Sequence, residues 1–201
     1  MSSQLEAALT DVRTAYRLLF EYQKHVLSLV KFIGHHYSYT YEGGSPRFSS
    51  AASKGKGNLN NWSWDWLNMY LYQFNFTAKN NCNFAVLLQS DSGYYQREAA
   101  DPLSVEQFET AENSTTRLHL MAGQTGCDFV KLMSDCLRPG SDKPITIPLS
   151  DVDVGIEQLS MSYSLEDFQS REGTINRLDE FSDLCQSAGL TSFSPSTSQD
   201  R

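Results

Sequence analysis

Apolar side chains recur at alternating steps of four and three residues from about residue 3 to residue 36. This spacing puts them on one face of an α-helix, and Gln23 is the polar member of the stripe. Such a helix would be ~45 Å long at 1.5 Å per residue, which is longer than one compact domain requires. The pattern predicts a long N-terminal helix that ends at Gly34, and its first part either contacts another chain or lies across a sheet. The stripe contains Leu5, Leu9, Val12, Tyr16, Leu19, Val26, Val30 and Ile33.

The middle of the chain changes to a period of two, which is the repeat of a β-strand. The clearest example is a run in which every second residue is aromatic, with Asn68 as the one interruption. Further alternating segments follow at about 83–89, 115–121, 145–149 and 159–163, and a turn at residues 79–81 makes the first pair antiparallel. Prolines flank the 145–149 segment and place it at a sheet edge. The aromatic run contains Trp62, Trp64, Trp66, Tyr70, Tyr72, Phe74 and Phe76.

Three further segments have the spacing and end signals of helices. A capping box at Ser104 predicts a short helix, the apolar residues from Phe129 to Leu137 predict a second, and an N-cap at Ser164 begins a third that ends near Gly189. Together the patterns predict an α+β fold, with an antiparallel sheet of about four to six strands packed against a long N-terminal helix and a C-terminal helix. We expect one domain over residues 1–190, a mobile loop at 43–61 and a disordered tail at 191–201.

The net charge, the apolar segments and the cysteines argue against duplex nucleic acid, a membrane and a metal ion as partners. The chain has a net charge of -8, which repels polyanions and argues against binding to duplex nucleic acid. The N-terminus lacks the features of a signal peptide and no segment has the ~18 apolar residues of a membrane span, so we expect a cytoplasmic protein without membrane contact. The four cysteines are scattered, which predicts reduced thiols and no metal site.

The sequence contains none of the common glycine-rich nucleotide-binding, zinc-hydrolase or serine-hydrolase motifs, so it predicts no cofactor. The best candidates for a catalytic site are His119 and Cys127, which could form a base and a nucleophile, together with Asp128. The alternative is that His119 is a half-exposed residue of a sheet.

A ligand site is suggested by the aromatic run and the basic loop that precedes it. Trp62 and Trp64 could stack on bases or sugars, and Arg47, Lys54 and Lys56 could bind an anionic group. The alternative interpretation is that the aromatic rings form the core beneath the long helix.

Three hypotheses for function follow. The leading one is a non-enzymatic interaction protein, such as an adaptor or inhibitor, that binds a protein partner through its acidic surface and the exposed end of the N-terminal helix. That helix could also pair with a second copy of the chain, through Leu5, Leu9 and Val12. The second is a binding module for a small molecule or single-stranded nucleic acid. The third is an enzyme whose site is assembled from residues distant in sequence.

Overall fold

A computed structural model describes residues 2–47, 69–79, 82–96, 108–124, 127, 129–138, 143–148, 156–191 and 193. The predicted capping box at Ser104 and the first half of the aromatic run, residues 62–68, lie outside these ranges. The helices are α1 (Ser2–His36), α2 (Gly93–Gln96), α3 (Val130–Cys136) and α4 (Arg171–Ser187), and a 3₁₀ turn spans Leu165–Phe168. The strands are β1 (Tyr41–Pro46), β2 (Leu71–Lys79), β3 (Cys82–Gln89), β4 (Arg117–Gln124), β5 (Ile145–Pro148) and β6 (Ile156–Ser164).

The six strands form one antiparallel sheet in the order β1-β2-β3-β4-β6-β5. The predicted α+β fold is confirmed, as is the position of the proline-flanked strand β5 at a sheet edge. Strand β1 forms the other edge of the described sheet. Strands β1, β2, β3 and β4 are neighbours in the sheet in the order in which they occur along the chain, and a short connection joins β2 to β3.

The first face of the sheet carries the main core, and it is covered by the second half of α1 together with α4. Phe74, Phe76 and Phe84 lie on this face at alternate positions of β2 and β3, and all are almost fully buried. For Phe74 and Phe76, the interpretation of the aromatic run as core beneath the long helix is therefore confirmed. The helices contribute Val26, Leu29, Val30, Ile33, Leu178, Phe181 and Cys185.

The second face of the sheet is covered in part by α3, the helix that the spacing from Phe129 to Leu137 predicted. Leu132 and Cys136 of α3 are buried against Leu87 of β3 and Met121 of β4. This face is far more polar than the first, because buried glutamines, serines and a histidine alternate with its apolar side chains. The buried polar residues are Gln73, Gln89, His119, Gln158, Ser160 and Ser162.

The prediction that Gly34 ends the first helix is wrong, because α1 continues to His36. Gly34 instead marks the closest approach of α1 to the sheet. A Cβ atom at this position would lie 2.6 Å from Cε1 of Phe76 and 3.3 Å from the carbonyl oxygen of Tyr39. Glycine is needed here because the Phe76 ring and the Tyr39 carbonyl occupy the space that a side chain would fill.

Three other boundaries differ from the prediction. Residues 43–46 of the predicted loop belong to β1, since their backbone pairs with β2. The last helix begins at Arg171 with Ser170 as its N-cap, and Ser164 caps the 3₁₀ turn. Phe193, within the predicted disordered tail, is fully buried between Tyr37, Phe84 and Phe181. Helix α4 ends near Gly189, as predicted, and the chain then continues to Phe193. Gly189 has a φ of +90°, a conformation that glycine adopts readily.

Candidate interaction site

The first half of α1 extends away from the rest of the domain as an exposed arm, defined here as residues 4–21. All of these residues are exposed, including the stripe residues Leu5 (63% exposed), Leu9 (47%) and Val12 (50%). A single amphipathic helix is normally stabilised by packing of its apolar face. The arm has no such packing within the described chain, so its apolar stripe is an available interaction surface. The other large exposed apolar residues of the arm are Tyr16, Leu18, Leu19 and Phe20.

The arm joins the body of the domain at Tyr22. The Tyr22 hydroxyl lies 2.8 Å from Oγ of Ser90, which donates a hydrogen bond to the carbonyl oxygen of Met69. From Val26 onwards the same helical stripe is buried in the core. One continuous helix therefore belongs to the core along its second half and to the surface along its first.

The net charge of the arm is small. Arg13 and Arg17 are balanced by acidic residues, and the whole of α1 has four basic and three acidic side chains. Since the chain has a net charge of -8, its acidity resides outside α1. The arm can therefore approach another acidic protein, such as a second copy of this chain, with less repulsion than the rest of the surface would cause. The acidic residues of α1 are Glu6, Asp11 and Glu21.

A groove of about 670 Å³ lies where the second half of α1 passes over β1 and β2. Its walls are largely apolar and include Phe74 and Phe76 of the aromatic run, and exposed Leu27 lies on its helical side. Lys31 and His35 are the basic residues that line it. The remaining lining residues are Val30, Gly34, Ser38, Tyr39, Thr40 and Tyr41.

His119 is fully buried, so its interpretation as a half-exposed sheet residue is wrong. Its Nδ1 lies 2.7 Å from Oγ of Ser162, and its Nε2 lies 3.1 Å from Oε1 of Gln89. Because the Gln89 oxygen can only accept, Nε2 donates to it and Nδ1 accepts from the serine hydroxyl. Burial, with a smaller contribution from nearby Arg117, lowers the pKa of His119 to about 3. The imidazole is therefore a neutral structural group at physiological pH.

The structure does not bring His119 and Cys127 together. The Cys127 sulfur lies over Gly123, where a Cβ atom would be 2.5 Å from it. Gly123 and His119 are four residues apart on β4, which corresponds to ~13 Å along a strand. The geometry thus offers no base for the Cys127 thiol at His119. Asp128 lies outside the described residues.

Arg47 and Cys127 both line a polar cleft of about 440 Å³ on the second face. Half-buried Arg47 donates from Nε to Oε1 of Gln73 at 2.9 Å, and Gln73 in turn donates to Oδ1 of Asn75 at 2.6 Å. Part of the hydrogen-bonding capacity of Arg47 is thus used within the protein. The other predicted ligand-binding residues, Trp62, Trp64, Lys54 and Lys56, lie outside the described residues.

The other three cysteines are buried thiols. Burial raises the pKa of Cys136 to about 12 and also raises those of Cys82 and Cys185, so these thiols stay protonated. In the described part of the chain, no three His, Cys, Asp or Glu residues cluster as they would around a metal ion. None of the helices described there has the length and apolar character needed to cross a bilayer.

Two features of these sites were missed from the sequence. The groove depends on β1, whose Gly-Gly-Ser-Pro sequence is typical of a loop and gave no strand signal. The environment of His119 depends on three strands that are distant in sequence. Gln89 and Ser162 can be recognised as the hydrogen-bond partners of His119 only once the strand register is known.

Comparison with known proteins gives one positive result. No curated protein and no solved structure matches the chain. A family model described as PM0109 matches residues 2–191, which include both the exposed arm and the whole described body apart from Phe193. The chain therefore belongs to the PM0109 family.

Proposed function

We propose that this protein is a non-enzymatic interaction protein, acting as an adaptor or inhibitor, and that it binds another protein chain through the arm of α1. The observation that carries this proposal is the exposure of a regular apolar stripe over residues 4–21 of a helix that is otherwise part of the core. Contiguous exposed apolar surface of this kind is typical of protein interaction sites. The four cysteines, three of them buried and none in a disulfide, support a cytoplasmic setting for this interaction.

The stripe can be tested by adding charge to it. The double substitution Leu9→Glu/Val12→Glu places two carboxylates in the stripe, where association would have to bury them. The matched control is Thr10→Glu/Thr14→Glu, which adds the same charge to the opposite side of the same helical turns. Circular dichroism and thermal unfolding should show that both proteins keep the fold, because all four positions are exposed.

Photo-crosslinking from Ala15, in cells that produce the protein, should identify the bound chain by mass spectrometry. We expect the stripe variant to lose these crosslinks and the control to keep them. Equal crosslinking by the wild type and by both variants would contradict the proposal, since the stripe would then make no contribution.

The groove beside β1 favours a second candidate function, the binding of a small amphipathic anion. Its apolar walls suit a hydrocarbon chain, and Lys31 is placed to bind a carboxylate or phosphate at the rim. A saturated medium-chain carboxylate should raise the melting temperature of the wild type and of Lys24→Ala, but not that of Lys31→Ala. Lys24 is the matched control because it is exposed on the same helix and pairs with Glu21 outside the groove. An equal shift in all three proteins would contradict this role for Lys31.

A further inference from the structure

We infer that the arm pairs with the arm of a second copy as an antiparallel two-helix coiled coil, an inference that rests on the proposed function. The stripe residues alternate at steps of four and three, which is the heptad spacing of such pairs. In an antiparallel pair that overlaps residues 4–17 of the two arms, Leu5 lies level with Tyr16 of the second copy, and Leu9 lies level with Val12. Four apolar layers result, and each exposed member of the stripe from Leu5 to Tyr16 has an apolar partner.

The charged residues beside the stripe select this register. Glu6 and Arg13 follow stripe residues Leu5 and Val12, so they occupy equivalent flanking positions one heptad apart. In the antiparallel pair with Leu5 level with Tyr16, Glu6 of one copy lies within ~3 Å along the axis of Arg13 of the other, and the contact occurs twice. Sliding the helices by one heptad either way places Glu6 against Glu6 or Arg13 against Arg13, which is repulsive.

The opposite flank of the stripe is formed by small residues. Ala8 and Ala15 precede stripe residues Leu9 and Tyr16, and in the same register Ala8 of one copy faces Ala15 of the other. Alanine on this side allows the two helix backbones to approach closely, and it leaves no buried polar group without a partner. The stripe, the charged flank and the small flank are thus complementary to themselves under one two-fold rotation, as a homodimer interface requires.

The acidity of the rest of the chain favours the antiparallel orientation over the parallel one. The body of the domain begins at Tyr22, so antiparallel arms place the two bodies at opposite ends of the paired helices. Parallel arms would bring two strongly acidic bodies side by side, where their charges repel. In addition, parallel pairing would leave Glu6 and Arg13 opposite alanines or chain ends, without mutual contact.

Charge exchange tests both the pairing and its orientation. Sedimentation equilibrium at low salt would compare the wild type with Glu6→Arg, Arg13→Glu and the double variant Glu6→Arg/Arg13→Glu. We expect each single substitution to weaken dimerisation about 5- to 10-fold, because it opposes like charges at two places, and we expect the double variant to recover wild-type affinity. The charges lie on an exposed helix surface, so the fold should be unaffected.

Disulfide trapping gives an independent measure of orientation. A mixture of Leu5→Cys and Tyr16→Cys proteins should form the mixed disulfide, whereas each protein alone should not form a disulfide at the new site, because its two new thiols would be ~16 Å apart along the axis. The wild type under the same oxidation controls for reaction of the native cysteines. Disulfides within each single variant, with no mixed product, would overturn the antiparallel arrangement.

The outcomes separate this inference from the function on which it rests. A wild type that remains monomeric at all concentrations overturns self-pairing. If Ala15 crosslinks to another kind of protein in that case, the arm is still an interaction site and the proposed function stands. If monomer is found and crosslinking is also insensitive to the stripe substitutions, both proposals fail.

Discussion

At the scale of single residues, burial decides the chemistry of the ionisable groups in this protein. His119 is held neutral between Ser162 and Gln89, and the buried cysteines are held as thiols. Groups in such states stabilise a fold but are poor acids, bases or nucleophiles near neutral pH. The lowered pKa of His119 therefore follows from its burial within the sheet.

The lowered pKa of His119 predicts acid sensitivity. The unfolded chain takes up a proton near pH 6.5 but the folded chain only near pH 3, so this residue's contribution is complete above pH 6.5 and is lost as the pH falls from there towards 3. Between pH 7 and pH 5 the loss should be about 2 kcal/mol. Urea denaturation at both pH values should show a smaller loss in His119→Gln than in the wild type. An identical loss would show that His119 is not protonated on unfolding.

Gly34 should reverse the usual effect of replacing a helical glycine. Gly→Ala within a helix normally stabilises by about 1 kcal/mol, but here the new methyl group would meet the Phe76 ring and the Tyr39 carbonyl. We expect Gly34→Ala to lower the free energy of unfolding by about 1–3 kcal/mol, as overpacking does. Ser28→Ala, on the exposed side of the same helix, controls for helix propensity. Stabilisation by Gly34→Ala would show that α1 can move away from the sheet at little cost.

At the scale of elements, regular patterns predicted most of the structure and irregular ones did not. The stripe of α1, the alternation in β3 and β4 and the spacing in α3 each reflect burial of one face by many residues, so local sequence is sufficient. By contrast, β1 forms because β2 offers it a hydrogen-bonding edge, and its own residues show no preference for a strand. The arm, which carries the same stripe as the buried second half of α1, could likewise be predicted as a helix from local sequence.

The arm and the second half of α1 should differ in dynamics although they belong to one helix. Amides of residues 8–20 have helical hydrogen bonds without tertiary packing, so at low protein concentration they should exchange with deuterium quickly. Amides of residues 26–36 are backed by the core and should exchange slowly. Hydrogen exchange at increasing protein concentration should slow the arm alone if it pairs with a second copy. Concentration-independent exchange in the arm would count against pairing.

At the scale of the whole molecule, an aromatic cluster joins the end of the first helix, the centre of the sheet and the segment that follows the last helix. Phe193 follows the last helix and lies 4.6 Å, centroid to centroid, from Tyr37 at the end of the first. It also contacts Phe84 in the centre of the sheet. Tyr37 itself donates a hydrogen bond to the carbonyl oxygen of Leu178 in α4. The residues just beyond α4 are therefore part of the fold, which composition alone did not reveal.

Because Phe193 is buried in this cluster and Phe20 is exposed, Phe→Ala at the two positions should have very different effects on stability. Phe193→Ala should lower the free energy of unfolding by about 3–4 kcal/mol, because it empties a fully buried site. Phe20→Ala in the exposed arm should change the stability of the monomer by less than about 0.5 kcal/mol. Denaturant titration at low protein concentration measures both. Similar effects of the two substitutions would contradict the placement of Phe193.

Because α1 is continuous through Tyr22, the arm sets the orientation of the body as well as offering an interaction surface. There is no loop between arm and body, so whatever holds the arm also fixes the direction in which the sheet and the groove beside β1 face. In the antiparallel dimer, the two points where arm meets body would be separated by ~35 Å, from the rise of 23 residues. The pair would act as a spacer that presents two identical bodies at a set distance, and a target with two matching sites would be held by both at once.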